Sequence, residues 1–235
     1  MSTLRIKAVL FDLDDTLWPI VPVIQRAEVV LHEWLARHAP RVTKQFSSEQ
    51  LRAIRMRLLE ADPTYRIDLA RLRQVALHEA FQVSGADPAF IAPAMAVFAR
   101  ERNAVTPFDD VLPGLTQLAL RVKVGSISNG VADLEEIGIA HHFHYSIAAH
   151  QSGTAKPDPV IFHRACDALG VLPAEAVYVG DDPVLDVQGA QRAGLRAVWM
   201  DRSAHGVAQT LPQHIRPDAI CTTLAELETW LNAHI

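Results

Sequence analysis

Short apolar runs that end in polar or acidic residues recur along the chain and alternate with segments of helical periodicity. Buried parallel strands have this appearance because both faces of such a sheet are covered. The runs are Ile6–Phe11, Val122–Ser128, Tyr145–Ala149, Ala176–Val179 and Ala197–Met200. Helical patterns follow at 115–120, 159–169, 184–193 and 224–231. This alternation predicts an α/β fold built on a parallel, doubly wound sheet.

One long segment, from about Ile20 to Thr106, breaks the alternation. It contains no convincing strand, but it has helical patterns at 22–39, 68–83 and 87–103. A further helix is indicated by Ser47-Ser48-Glu49-Gln50, which resembles a capping box that opens a helix to about Ala61. We therefore predict a core formed by residues 1–19 and 107–235, with a helical domain, residues 20–106, inserted after the first strand.

Composition limits the class of protein. The chain has 235 residues, of which 49% are hydrophobic and 21% charged, so a substantial core is expected and disorder is not. The net charge of -5 argues against general nucleic-acid binding, which favours a basic surface. There is no apolar run of 18 residues and no signal-peptide core, so we expect no membrane association and a cytoplasmic setting. Nothing in the sequence indicates the oligomeric state.

Charge is unevenly distributed along the chain. Residues 41–73 contain eight basic and four acidic side chains, a net charge of +4, which leaves -9 for the remainder. A cationic helical domain would attract a phosphorylated substrate to an acidic core. An ordinary solvated helix face is the simpler interpretation of the same residues.

Two acidic residues, Asp12 and Asp14, directly follow the first predicted strand. In extended backbone, alternate residues share a face, so both carboxylates can point into one crevice. One carboxylate could attack phosphorus to form an aspartyl phosphate, and the other could protonate the leaving oxygen and then deprotonate water. Two negative groups facing a phosphate need a cation, and Mg²⁺ suits such oxygen ligands. Taken alone, the pair could equally be solvated acids at a strand exit.

Three later positions strengthen the catalytic interpretation. Ser128 ends a predicted strand, and its hydroxyl, with the amides around Asn129, could hold phosphoryl oxygens. Lys156 could place a cation beside Asp12 and the phosphate, which would also keep Asp12 ionised. Asp181 follows another strand and would supply a further metal ligand. Ligands bind at the carboxyl ends of the strands in sheets of this kind, so these positions are expected to converge.

The ordered motifs resemble those of the haloacid dehalogenase superfamily, over nearly the whole chain. They are Asp12-Leu13-Asp14-Asp15-Thr16, Ser128-Asn129-Gly130, Lys156-Pro157-Asp158-Pro159 and Gly180-Asp181-Asp182 through Asp186. The resemblance implies a Rossmann-like core with an inserted helical cap.

It also implies roles for individual residues. Asp12 would be the nucleophile and Asp14 the acid/base, while Asp12, the Asp14 carbonyl and Asp181 would bind Mg²⁺. The implied phosphate-binding set is Thr16, which also shapes the first loop, with Ser128, Asn129 and Lys156. Asp186 would orient Lys156 or metal-bound water. The dehalogenating branch of the family lacks an aspartate at the position of Asp14. The expected activity is therefore Mg²⁺-dependent hydrolysis of a phosphate monoester on a small metabolite.

Alternatives and departures accompany this prediction. A phosphomutase would use the same site, and a non-catalytic protein with a vestigial site would be expected to have lost Asp12 or Asp14. Many relatives carry Ser-Glu where this chain has Ala149-His150, and the segment 130–138 is shorter than usual. His141, His142 and His144 invite a metal-site interpretation, but a solvated turn is favoured because no carboxylate or cysteine completes the set. Trp18 could line the substrate cleft or pack beneath the cap.

Overall fold

Six parallel strands form one sheet in the computed structural model, which describes residues 5–207 and 210–235. The strands are β1 (Ala8–Phe11), β2 (Lys123–Ser128), β3 (Tyr145–Ala148), β4 (Ala176–Gly180), β5 (Arg196–Met200) and β6 (Ala219–Cys221). Their spatial order is β3-β2-β1-β4-β5-β6, and every neighbouring pair is parallel. The predicted doubly wound parallel sheet is confirmed.

The chain divides into two units. Met1–Pro19 with Thr106–Ile235 forms the first, called the core unit below, and Ile20–Val105 forms the second, called the helical unit. The α-helices of the helical unit are α1 (Ile20–His38), α2 (Pro40–Gln45), α3 (Ser48–Ala61), α4 (Leu69–Ser84) and α5 (Ile91–Asn103). They enclose their own apolar core, to which Leu31, Leu35, Leu77 and Phe81 belong.

The core unit surrounds the sheet with helices. These are α6 (Val111–Ala119), α7 (Leu134–Ile137), α8 (Ala149–Ser152), α9 (Pro159–Leu169), α10 (Gly189–Arg192) and α11 (Leu224–Leu231). A π-helix, Pro183–Gln188, precedes α10. Short 3₁₀ turns occupy 140–142, 173–175 and 203–205.

Both faces of the central strands are covered. Side chains alternate between the faces of a strand, and Ala8 and Leu10 of β1 lie in one apolar cluster with Phe162 of α9. Val9 and Phe11 point to the opposite face and are equally inaccessible to solvent. Burial on both faces explains why these strands read as continuous apolar runs rather than as alternating ones.

The strand order reverses between β1 and β4, which are neighbours although β2 and β3 intervene in the sequence. Phe11 pairs with Val179, so the residues that follow both strands emerge side by side. A crevice at the carboxyl ends of the strands forms at such a switch point, and ligands of doubly wound sheets bind there. The sheet topology therefore places Asp12 and Asp181 at the expected binding edge.

Most predicted elements agree with the structure. The patterns at 159–169 and 224–231 match α9 and α11, and Ser47 forms the predicted capping box at the start of α3. The pattern at 184–193 is instead a π-helix followed by one turn of α-helix. Strand β6 was not predicted. In the described ranges, no helix combines the length and apolar character that crossing a membrane requires.

Candidate functional site

Asp12 occupies the first position after β1. Its backbone N–H donates to the carbonyl of Val179 on β4 at 2.8 Å, which extends the ladder between the strands by one residue. The residue is only 7% exposed. Its carboxylate accepts a hydrogen bond from the Lys156 ammonium. The predicted nucleophile is thus a buried carboxylate held at the switch point of the sheet.

Lys156 is buried, and its ammonium donates three hydrogen bonds. Besides Asp12, the acceptors are Asp186 Oδ1 at 2.7 Å and the hydroxyl oxygen of Tyr178 at 2.9 Å. The Tyr178 hydroxyl in turn donates to the carbonyl of Ile127 at 2.8 Å. Since an ammonium has three donors, these contacts use its full capacity and define the position of Nζ.

Asp186 lies on the π-helix and is almost fully buried. One carboxylate oxygen accepts from Lys156, and the other accepts the backbone N–H of Asp182 at 2.9 Å. Asp182 itself caps the π-helix, because its side chain accepts from the N–H groups of Val184 and Leu185. The π-helix thus presents Asp186 toward Lys156, in keeping with the tendency of such helices to occur at functional sites.

Asp181 follows β4 and is also buried. Its Oδ1 accepts the hydroxyl of Thr16 at 2.9 Å, and its carbonyl accepts the indole N–H of Trp199 at 2.6 Å. Thr16, in the loop after β1, therefore contacts Asp181 in the loop after β4. These bonds tie the loop after β1 to the loop after β4.

The loop after β1 is a tight turn. Asp15 has a φ of 61°, a left-handed conformation that aspartate adopts more readily than most residues. Its N–H donates to the carbonyl of Trp18 at 2.7 Å. Asp14 is half-buried, and its carboxylate accepts the indole N–H of Trp18 at 2.9 Å. Trp18 is fully buried and thereby holds the predicted acid/base in a defined orientation.

Ser128 and Asn129 lie at the end of β2. The Ser128 hydroxyl oxygen accepts the N–H of Gly130 at 2.9 Å. The amide of Asn129 makes two bonds to the backbone of Lys156, donating to its carbonyl at 3.0 Å and accepting its N–H at 2.8 Å. Asn129 therefore clamps the segment that carries Lys156, a contact that the sequence did not indicate.

The charges of this site are unbalanced, since one ammonium serves three buried carboxylates. Burial raises the pKa of Asp12 well above its ordinary value, and the nearby Asp186 and Asp181 add to that effect against the opposing charge of Lys156. Burial and Asp186 raise the pKa of Asp181 to about 7. Burial lowers the pKa of Lys156, but Asp12 and Asp186 together raise it by more. The lysine stays charged, and a further cation would relieve the carboxylates.

The three carboxylates fit a divalent cation. Each of Asp12, Asp181 and Asp186 offers an oxygen, and these oxygens lie within 4.8 Å of one another. Hard cations such as Mg²⁺ take carboxylate and carbonyl oxygens. Both oxygens of Asp186 already accept hydrogen bonds, from Lys156 and from the backbone of Asp182. This is the one group of potential metal ligands found in the described part of the chain.

The histidines at 141, 142 and 144 have other contacts. The rings of His141 and His142 lie 4.1 Å apart, and burial together with His141 lowers the pKa of His142. His144 Nδ1 accepts the N–H of Val124 at 3.1 Å.

Sequence reasoning missed three residues around the site. Tyr178 is a hydroxyl-bearing residue in an otherwise apolar strand, and that contrast was an available signal. No such signal marked Trp199 or Arg202 in the sequence, because the residues they contact are distant along the chain. Arg202 is 1% exposed, donates to the carbonyl of Thr16 at 3.1 Å, and pairs with Asp110 at 3.0 Å. Arg202 thereby stabilises the loop after β1 through the backbone of Thr16.

Comparisons with known proteins agree with this geometry. The profile of haloacid dehalogenase-like hydrolases matches residues 6–194. A 5-amino-6-(5-phospho-D-ribitylamino)uracil phosphatase of Escherichia coli is 31% identical over 95% of each chain. A glyceraldehyde 3-phosphate phosphatase of Methanopyrus kandleri is 32% identical over 85% of this chain and 86% of its own.

Two crystal structures are also similar. A 2-haloacid dehalogenase from Pseudomonas syringae has a TM-score of 0.88 and 38% identity, covering 97% of this chain and 99% of that one. A HAD phosphatase from Thermococcus onnurineus has a TM-score of 0.70 and 25% identity, covering 98% and 100%. The resemblance inferred from four motifs is confirmed, and the chain belongs to the haloacid dehalogenase-like hydrolases.

Proposed function

We propose that this hydrolase is a Mg²⁺-dependent phosphatase that cleaves phosphate monoesters of small metabolites through an aspartyl phosphate on Asp12. The observation that carries the proposal is the pairing of a buried Asp12, bonded to Lys156, with a second carboxylate, Asp14, two residues further on. Phosphoryl transfer from an alkoxide leaving group needs both a nucleophile to receive the phosphoryl group and a proton donor for the leaving oxygen. In this proposal, residues 20–106 select the substrate.

The reaction proceeds in two displacements. Asp12 attacks phosphorus as the bond from phosphorus to the leaving oxygen breaks, and Asp14 gives that oxygen its proton. Asp14, now ionised, takes a proton from water, which attacks the aspartyl phosphate and releases inorganic phosphate. The same carboxyl group, that of Asp14, thus serves first as the acid and then as the base.

The remaining residues bind the phosphoryl group and orient the groups that react with it. Lys156 exchanges its hydrogen bond to Asp12 for one to a phosphoryl oxygen, while Asp186 and Tyr178 keep the lysine in place. The Ser128 hydroxyl donates to another phosphoryl oxygen. Asp12, the Asp14 carbonyl and Asp181 would hold Mg²⁺, which when bound neutralises charge between the carboxylates and the phosphoryl group. Thr16 orients Asp181 through its hydroxyl.

A second candidate is hydrolysis of a carbon–halogen bond. It is favoured by the dehalogenase from Pseudomonas syringae, the similar structure with 38% identity. A carboxylate can displace halide from carbon, but a halide leaves as an anion and needs no proton. Asp14 would then have no leaving group to protonate. Phosphatases named among the relatives at 31% and 32% identity support the first candidate.

One pair of assays separates the candidates. Purified protein is given a panel of phosphate monoesters with Mg²⁺ and, separately, 2-chloropropionate, and inorganic phosphate and chloride are measured. We expect phosphate release that stops with EDTA, and no chloride release. Inorganic phosphate as product also distinguishes hydrolysis from a phosphomutase reaction, in which the phosphoryl group returns to substrate.

Variants test the assigned roles. Asp12→Asn and Asp14→Asn should each lower turnover by roughly 10³-fold or more, as losses of nucleophiles and acid/base groups commonly do. Asp109→Asn, which changes an exposed carboxylate of the core unit, is the matched control and should keep full activity. Chloride release that persists in Asp14→Asn, without phosphatase activity in the unaltered protein, would establish the dehalogenase instead.

A further inference from the structure

Two arginines of the helical unit share a single carboxylate oxygen. Arg55 of α3 and Arg73 of α4 both donate through Nη2 to Oε1 of Glu28 on α1, at 2.5 Å and 2.8 Å. The three helices thus bring two guanidinium groups to one point. The arrangement belongs to the helical unit alone and uses none of the residues of the core-unit site.

Arg73 is buried, yet the hydrogen-bonding capacity of its guanidinium group is only partly used. It is 8% exposed, and its guanidinium carbon lies 3.3 Å from the ring centroid of Phe98. Its Nη1 has no hydrogen-bond partner among residues 5–207 and 210–235. A buried donor without an acceptor costs roughly 1–3 kcal/mol, and more when the group is charged. An acceptor supplied by a ligand would remove that cost.

The cluster also has an excess of positive charge. Two guanidinium groups face one carboxylate, and the exposed Arg52 lies close enough for its charge to act on Arg55. Burial, then the neighbouring Arg73, lowers the pKa of Arg55 to about 10, so Arg55 remains charged at neutral pH. By contrast, the buried Arg202 of the core unit is matched by one carboxylate, Asp110.

The cluster is partly open to solvent. The side chains of Arg55 and Glu28 are 13% and 17% exposed, against 10% for Arg73. The exposed part of Arg55 can therefore contact a small ligand, whereas Nη1 of Arg73, which solvent does not reach, becomes available only when a side chain around it moves. Guanidinium forks match the paired oxygens of carboxylate and phosphate groups.

We propose that Arg55 and Arg73 form a binding site for a small carboxylate or phosphate anion. The anion is a free one, and it binds the helical unit independently of turnover at the core-unit site.

Binding is tested directly on the full-length protein by NMR of the arginine Nε–H signals, titrated with malonate and with inorganic phosphate at constant ionic strength. Saturable shifts of the Arg55 and Arg73 signals are expected. Arg73→Met should weaken binding by at least about tenfold, the loss of one charged hydrogen bond. Arg57→Met removes a surface arginine of α3, the helix that carries Arg55. Arg57 pairs with Glu79, and this variant should bind the anion as the unaltered protein does.

Glu28→Gln keeps the proposal testable even if Arg73→Met fails to fold. It removes the competing carboxylate and keeps a hydrogen-bonding side chain of the same size, so the anion should bind several-fold more tightly. A cluster that serves only to join the helices would show no such gain. Unshifted Arg55 and Arg73 signals, or unchanged binding in Glu28→Gln, would overturn the proposal.

Discussion

Asp181 shows how burial at a single residue couples ionisation to folding. Its pKa is raised from 3.8 to about 7, first by burial and then by Asp186. Because the folded-state pKa lies above the unfolded one, the stabilising contribution is full below about pH 4 and is lost as pH rises through about 7. The difference corresponds to on the order of 4 kcal/mol.

We therefore predict that the metal-free protein loses stability between about pH 4 and about pH 7, and that Asp181→Asn removes much of this loss. The free energy of unfolding in urea with EDTA, measured at several pH values, provides the check. Asp109→Asn should retain the pH dependence of the unaltered protein. A stability that rises over this pH range would contradict the inferred direction of the pKa shift.

Lys156 is expected to act on the phosphoryl group and on Asp12, not on the metal. Lys156→Met removes a cation beside the carboxylates, so Mg²⁺ affinity should stay the same or increase, because like charges repel. Turnover should fall by roughly 10²-fold or more, since the lysine stabilises charge in the transition state. Calorimetric titration with Mg²⁺ and steady-state kinetics measure the two effects. Weaker Mg²⁺ binding in this variant would indicate that Lys156 instead organises the metal ligands.

For individual residues, the sequence identified site positions where a polar residue ends or directly follows a predicted strand. Asp12, Ser128 and Asp181 were found because each stands at the carboxyl end of an apolar run. Tyr178 was not identified as a site residue, because a tyrosine inside a buried strand is ordinarily a core residue. Its contact with Lys156 depends on how α9 and the preceding segment pack on the sheet, which periodicity does not report.

Among the elements, the end of β4 is constrained by a single glycine. A Cβ added at Gly180 would lie 2.3 Å from Oδ2 and 2.4 Å from Cγ of Asp186. Gly180→Ala should therefore displace Asp186, lower stability by about 1–3 kcal/mol, and reduce activity by more than that loss explains. Thermal unfolding and phosphate release would be measured on the same preparation.

Gly153→Ala is the matched control for that substitution. An added Cβ there meets nothing within 4 Å, but the φ of 72° makes any side chain strained by roughly 1–2 kcal/mol. A comparable loss of stability is expected, with activity retained. If both variants lose activity in proportion to stability, the contact of Gly180 with Asp186 has no special importance for the site.

Elements differed in how well the sequence predicted them. Helix α9 was predicted from Pro159 to Leu169 because a proline starts it and Gly170, at a φ of 64°, ends it. Strand β6 spans three residues, with Ile220 exposed, so it lacks the apolar run that marked the other strands. The π-helix before α10 was read as α-helix because apolar periodicity does not distinguish the two over six residues.

For the whole molecule, the topology explains why residues far apart in sequence form one site. The reversal of strand order between β1 and β4 leaves a crevice into which both strands deliver an aspartate. Two further loops, after β2 and before α9, meet there through the clamp of Asn129 on the Lys156 backbone. Local patterns located the strand ends, but only the order of strands in space shows which ends are neighbours.

This topology predicts where Mg²⁺ should change the dynamics. A ligand that binds only the folded state stabilises it by about 2.7 kcal/mol at a concentration of 100 Kd. We expect Mg²⁺ without substrate to slow amide hydrogen exchange chiefly in residues 11–18 and 181–188, which carry Asp12, Thr16, Asp181 and Asp186. Exchange measured by mass spectrometry with Mg²⁺ or EDTA provides the test. In Asp181→Asn the protection should be largely lost, because one ligand is missing while the fold remains. Protection confined to Ile20–Val105, or unchanged in Asp181→Asn, would place the metal elsewhere and contradict the proposed site.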